Sequence, residues 1–206
     1  MATVRPLIDR HLPPYTCGQC FGPLTAGKTC WRCDVPEAAW TEGGLRHVVI
    51  CNRIGIWSGY VEVPEDHVWH GLDLTDEAPV VGDPPLYDLS LPEAMESVGI
   101  LNTGFALFDG PDGVNRFART LTAQVRVAGG LSFADWAVFH GEPIRYYLGF
   151  HAAHGRFKPD VSRMDPVVAE LIEPLIDKDA HVFTPEEMRL ECRRLAASIR
   201  EAWIGH

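Results

Sequence analysis

Four cysteines near the start of the chain have the spacing of a zinc site. Cys17, Cys20, Cys30 and Cys33 form a C-x2-C-x9-C-x2-C pattern, and each C-x2-C pair places two sulfurs on one tight turn. Zinc prefers four ligands in a tetrahedron, and a site closed by four thiolates leaves no position for a reacting water. The pattern therefore predicts a structural zinc ion bound by these four side chains.

Disulfide bonding and redox chemistry are the alternatives for these cysteines. Disulfides form in oxidising compartments, but the first residues of the chain contain no apolar run long enough for a secretory signal. A redox C-x-x-C pair is expected beside a βαβ unit, and the sequence around the cysteines predicts none. Both alternatives stay open beside the zinc interpretation.

Nine histidines suggest a second group of possible ligands. Two H-x-x-H pairs occur, one from His67 to His70 and one from His151 to His154. Each pair follows a predicted strand, and loops at strand ends often carry functional residues. If His67, His151 and His154 shared a cleft, they could activate a metal-bound water, as in a metal-assisted hydrolase. Isolated surface histidines are the simpler interpretation.

Composition and charge limit the classes of function. The chain is 46% hydrophobic and 22% charged, which is typical of a globular protein. Its net charge is −10, and a four-thiolate zinc centre would make it more negative. Non-specific binding to nucleic acid is therefore unexpected, because such binding depends on basic side chains that displace counterions. No apolar run approaches the length of a membrane span, so we expect no segment of the chain to cross a membrane.

The sequence predicts a zinc ribbon over residues 1–36 and an α+β domain over residues 37–206. A proline-rich loop is expected near residues 75–92, because prolines there exclude regular structure. β-branched and aromatic residues predict a mostly antiparallel sheet. Its expected strands are 45–52, 54–63 and 144–150, together with a long hairpin that pairs 100–108 with 114–128.

Two helices are predicted near the C-terminus. Asp165-Pro166 has the chemistry of a helix start, and Pro174 should end or kink that helix. Thr184-Pro-Glu-Glu187 is a capping box that should open a helix running to about Trp203. Apolar residues at helical spacing give this second helix one stripe, which we expect to pack on the sheet: Met188, Cys192, Leu195, Ile199 and Trp203.

Four segments of the second domain resemble a family of uncharacterised bacteriophage proteins. The family's segments have the forms G-Y-V-x-V-P-x-x-H, H-G-G-L-T-F/Y, G-F-D-x-A-H and E-C-x-x-L-A, in this order. Their counterparts in this chain are residues 59–67, 129–133, 149–154 and 191–196. The N-terminus also resembles the short zinc ribbons found at the ends of many unrelated proteins.

The resemblance implies a phage protein that acts in the host cytoplasm and carries a polar cluster made from the first three segments. His67 and His154 keep family positions, but Ala128 stands where the family has a histidine and His151 where it has an aspartate. Those two losses would weaken a metal or acid–base site. We therefore expect an accessory protein that binds a host protein or a small-molecule ligand, with the metal-assisted hydrolase as the alternative. The acidic surface suits a basic protein partner or mimicry of nucleic acid, and acidity also simply keeps proteins soluble.

Overall fold

The structure of the 206-residue chain is a computed structural model. It describes residues 36–52, 54–79, 120–125, 127–139, 142–152, 157–164 and 166–204, and the backbone of 15–17 and 23–24. The predicted zinc ribbon, including three of its four cysteines, lies outside the described residues apart from those two short strands. Most of the proline-rich loop and of the predicted long hairpin also lies outside them.

A seven-stranded sheet forms the centre of the described structure, in the order β2-β1-β6-β7-β5-β4-β3. Neighbouring strands pair antiparallel except β1 with β6, which are parallel. With two C-terminal helices, this confirms the α+β class and the mostly antiparallel sheet. The strands are β1 (Tyr15–Cys17), β2 (Pro23–Leu24), β3 (Ala38–Glu42), β4 (Leu45–Cys51), β5 (Trp57–Glu62), β6 (Phe133–Val138) and β7 (Arg145–His151).

Strands β4, β5 and β7 confirm three predicted strands, although β5 starts later than expected. The side-chain oxygen of Asn52 accepts hydrogen bonds from the backbone N–H groups of Ile54 and Ile56, both at 3.0 Å. Gly55 has a φ of 70°, a conformation that glycine adopts at little cost. The turn that follows Asn52 therefore delays the strand to Trp57.

The structure describes only the end of the predicted strand 114–128, and the strand prediction is wrong there. Residues Leu121–Gln124 form a 3-10 helix whose four residues are all buried. Its first turn is held by the loop after β5, because Leu74 O accepts from both the backbone N–H and the hydroxyl of Thr122. Tertiary hydrogen bonds have overridden the local preference for a strand here.

The two C-terminal helices begin where the sequence predicts. Helix α1 spans Pro166–Ile172 and passes into a 3-10 turn, Glu173–Leu175, at Pro174. Proline cannot donate the next helical hydrogen bond, so the α-helix ends there. Helix α2 spans Pro185–Ile204 and packs on β4 and β5.

The apolar stripe of α2 packs on the sheet, as expected. Met188, Cys192, Leu195 and Ile199 have relative exposures of 0%, whereas Trp203, the last member of the stripe, is 37% exposed. We call the side of the sheet under α2 the helix face. Its buried side chains include Leu45, Val49, Trp57, Val61, Leu148 and Phe150, and the opposite side, which we call the far face, carries Val48, Ile50, Tyr60, Ala137 and Tyr147.

The capping box at the start of α2 is confirmed. Thr184 Oγ1 accepts the backbone N–H of Glu187 at 3.2 Å, and Glu187 Oε2 accepts the backbone N–H of Thr184 at 2.8 Å. We expect Thr184→Ala to lower the free energy of unfolding by about 1 kcal/mol, because it leaves a helix N–H without its acceptor. Urea denaturation measures the change, and a loss as small as that of Thr41→Ala, on the exposed edge strand β3, would contradict it.

Candidate functional site

Three of the four segments singled out in the sequence meet where α2 packs on the sheet. Gly59 of β5 pairs with Phe150 of β7, and Cys192 of α2 packs against Gly59. A Cβ atom at Gly59 would lie 2.5 Å from Phe150 Cζ and 2.7 Å from Cys192 Sγ. Phe150 and Cys192 are 1% and 0% exposed. Three of the four segments are therefore joined by close packing in the core.

The backbone directly before the remaining segment, residues 129–133, is hydrogen-bonded to a buried carboxylate. Glu191 is 6% exposed, and its Oε2 accepts the backbone N–H of Ala128 at 2.9 Å while its Oε1 accepts from Arg194 at 2.5 Å. Gly129 and Gly130 follow with φ values of 76° each. Glu191 therefore anchors a two-glycine turn to α2. The sequence places it beside Arg194 on a helix and gives no signal for its burial.

His67 has a structural environment. The ring is 4% exposed, its Nδ1 accepts the backbone N–H of Trp69 at 2.9 Å, and its Nε2 donates to the carbonyl of Ile199 in α2 at 2.8 Å. These partners assign the proton to Nε2. Because both nitrogens are hydrogen-bonded to main chain, neither offers a lone pair to a metal or a base to a substrate.

His151 lies on the other side of the sheet from His67. Phe150 is on the helix face and adjacent residues of a strand point to opposite faces, so His151 is on the far face. There it pairs with Ser58 at the start of β5, and its Nδ1 lies 2.6 Å from Ser132 Oγ. His67 follows the other end of β5 and contacts α2.

The predicted shared cleft is therefore wrong for His67 and His151, because strand register separates them by face and by strand end. His154 lies outside the described residues. Among the residues that the structure describes, no group of three or more His, Cys, Asp or Glu side chains could hold a metal ion. That set leaves out the side chains of Cys17, Cys20, Cys30 and Cys33, so the zinc site stays a prediction.

Of two other cysteines, Cys192 is buried in the core and Cys51 is partly buried and packs against it. Burial raises the pKa of the Cys51 thiol to about 12, and burial likewise raises the pKa of Cys192. A thiol is nucleophilic as the thiolate. Both side chains therefore stay protonated and unreactive near neutral pH.

His47 links the β3–β4 hairpin to the core. Its ring is 0% exposed and stacks on Trp40, with centroids 4.8 Å apart. Nδ1 lies 3.0 Å from Leu45 O, to which it donates, and the buried Nε2 has no hydrogen-bond partner among the residues that the structure describes. Burial lowers the pKa of His47, the Leu45 carbonyl and Glu42 oppose that shift, and nearby Arg200 and Arg193 add to it.

We expect the free energy of unfolding to decrease as the pH falls through about 6.5. Burial lowers the pKa of both His47 and His70 in the folded chain, so the unfolded chain binds more protons in this range. His47→Phe keeps a ring against Trp40 and removes one titrating group. Urea unfolding should therefore show a shallower pH dependence for His47→Phe than for the wild type, and an unchanged slope would contradict the assignment.

Helix α1 and the turn after it expose three large aliphatic side chains. Val167, Leu171 and Leu175 are 67%, 69% and 83% exposed, and we call these three residues the ridge. They are four residues apart, so they lie near one another along one side of the segment. No residue of α1 or of the following 3-10 turn is buried. The ridge is therefore apolar surface that faces solvent.

Four exposed carboxylates surround the ridge in sequence. We call Glu170, Glu173, Asp177 and Asp179 the acidic flank. Residues 166–180 contain these four acidic side chains and one basic side chain, Lys178, which gives a net charge of −3. Within the described part of the chain, none of the four forms a salt bridge, whereas Glu62 and Glu142 of the sheet region each pair with an arginine.

No protein-family model, curated protein or solved structure matches this chain. No helix in the described ranges combines the length and apolar character needed to cross a membrane. Among the residues that the structure describes, the ridge with its acidic flank is the candidate functional site.

Proposed function

We propose that this chain is a phage-encoded accessory protein that acts in the host cytoplasm by binding a host protein through the ridge. The observation that carries the proposal is the exposure of Val167, Leu171 and Leu175 at helical spacing. An amphipathic helix that places such residues in an apolar groove is a recurring mode of protein recognition. Burying each side chain contributes about 1.5–3 kcal/mol.

The ridge fits a protein better than a small ligand. Small molecules are bound in concave pockets that enclose most of their surface, whereas side chains exposed by 67% or more can only be enclosed by a surface larger than themselves. The hydrolase alternative is not supported by His67, whose nitrogens are both bonded to main chain. Binding is therefore the function that we propose.

Ridge-dependent recovery of host proteins tests this function. Tagged wild-type protein and the variant Leu171→Ser/Leu175→Ser would be isolated from bacterial cytosol, with Leu190→Ser as the control. Leu190 is 48% exposed on α2, so its substitution removes a comparable exposed leucine elsewhere. We expect wild type and control to recover the same host protein, and the ridge variant to recover at least tenfold less of it. The purified host protein should also bind this chain directly. Equal recovery by all three would contradict the proposal.

We also propose that Cys17, Cys20, Cys30 and Cys33 hold one structural zinc ion. Protein purified under reducing conditions should contain about one equivalent of zinc, because four thiolates complete its coordination. Cys30→Ser/Cys33→Ser should remove most of the metal, whereas Cys51→Ser, at a thiol of β4, should leave it bound. Metal analysis that finds wild-type protein free of zinc would refute this site.

A further inference from the structure

We infer that the partner of the ridge is a protein groove with an apolar floor and a rim of lysine and arginine side chains. This inference rests on the proposed function and specifies the chemistry of the partner. It is carried by two independent features of residues 166–180, which are the orientation of the apolar side chains and the charge around them.

The two sides of the segment differ in exposure. Val168, Ala169, Ile172 and Ile176 are each partly buried, whereas the ridge residues are at least 67% exposed. The ridge therefore lies on the more exposed side of the segment. Because two of its three residues belong to α1, the backbone that carries them is already helical, and less conformational entropy is lost on binding.

The acidic flank determines which grooves can accept the ridge. Its four carboxylates are exposed, and none forms a salt bridge within the ranges that the structure describes. A groove with an acidic rim would bring like charges together, whereas a basic rim would be attracted and would associate faster. Charge at the rim chiefly sets specificity and association rate, and the apolar floor provides most of the affinity.

The same charges disfavour two other occupants. A second copy of this chain would bring two acidic flanks together, in a protein whose net charge is already −10. An anionic membrane surface attracts basic segments rather than acidic ones. Self-association and vesicle binding are therefore outcomes that the test must be able to detect.

Two peptide probes test the inference directly. One is a short amphipathic peptide of leucine and lysine at helical spacing, and the other has the same pattern with glutamate in place of lysine. We expect the leucine–lysine peptide to shift NMR resonances of residues 166–180, with an affinity that weakens as salt is added. Leu171→Ser should weaken this binding at least tenfold, since tenfold corresponds to only about 1.4 kcal/mol and the substitution removes a leucine that the complex buries. The leucine–glutamate peptide should produce no such shifts.

Charge-reversed variants provide the matched control. Glu170→Lys/Glu173→Lys and Glu65→Lys/Asp66→Lys each replace two exposed carboxylates and change the net charge equally. Only the first pair should weaken binding of the leucine–lysine peptide and reduce the salt dependence of that binding. The inference would be overturned if both pairs weakened binding equally or if the two peptides bound equally well. It would also be overturned if Leu171→Ser left the NMR resonance shifts unaltered.

One further outcome separates the inference from the proposed function, and two others would overturn both. If the host protein recovered through the ridge binds Glu170→Lys/Glu173→Lys as tightly as wild type, the basic rim is wrong and the proposed function stands. If Leu171→Ser abolishes a concentration-dependent dimer, the occupant is a second copy and both proposals fail. Ridge-dependent binding to vesicles of anionic phospholipid would also overturn both.

Discussion

Gly59→Ala is expected to destabilise the folded chain by about 1–3 kcal/mol, because it overpacks the junction between α2 and the sheet. The added Cβ would lie 2.5 Å from Phe150 Cζ and 2.7 Å from Cys192 Sγ. Both neighbours are fully buried, so neither can move into solvent. The free energy of unfolding from urea denaturation measures the effect.

A double-mutant cycle identifies the clash as the cause. Phe150→Leu removes the ring atom nearest to the added methyl group, so Gly59→Ala should cost less in that background than in the wild type. The difference should exceed about 0.5 kcal/mol. An equal cost in both backgrounds would show that Gly59 is not required by the close approach of Phe150.

His67→Ala is the second substitution with a large expected effect. It removes a buried ring that accepts from Trp69 and donates to Ile199, which leaves a cavity and two main-chain groups without their partners. We expect a loss of roughly 2–5 kcal/mol in the free energy of unfolding. The measurement is thermal or urea unfolding of the purified variant.

His151→Ala is the matched control for His67→Ala. His151 is only partly buried, whereas His67 is 4% exposed, and Nδ1 of His151 lies 2.6 Å from the Ser132 hydroxyl oxygen. Its loss should therefore cost less than the loss of His67. If His67→Ala left stability unchanged and abolished a hydrolytic activity, the structural interpretation of His67 would be refuted.

Local signals in the sequence predicted the helices well. Thr184 and Glu187 cap each other within four residues of chain, and Pro174 ends α1 through its own missing N–H. Neither effect depends on distant contacts. The strands β4 and β7 were also predictable, since runs of β-branched and aromatic residues favour a strand wherever it pairs.

The relative positions of the histidines could not be predicted in the same way. A shift of one residue in strand register moves a side chain to the other face of a sheet. His151 lies on the far face, whereas its neighbour Phe150 lies on the helix face. Spacing along the chain therefore gave no information on whether His67 and His151 would meet. The burial of Glu191 against Ala128 depends on tertiary contacts of the same kind.

The ridge illustrates a third limit of sequence reasoning. Apolar residues occur in adjacent pairs at 167–168, 171–172 and 175–176, so periodicity alone cannot tell which member of each pair is buried. In the structure the first member of each pair is exposed and the second is partly buried. Exposure in the folded chain, which periodicity does not give, therefore determines which residues are available to a partner.

Site-specific photo-crosslinking in bacterial cells tests the proposed binding function most directly. A photoreactive phenylalanine derivative would replace Leu171 on the ridge, and Leu190 on α2 in the control, since both leucines are exposed. The proposal predicts one discrete adduct between position 171 and a host protein, and no such adduct from position 190. The absence of any adduct from position 171, or adducts only between copies of this chain, would contradict it.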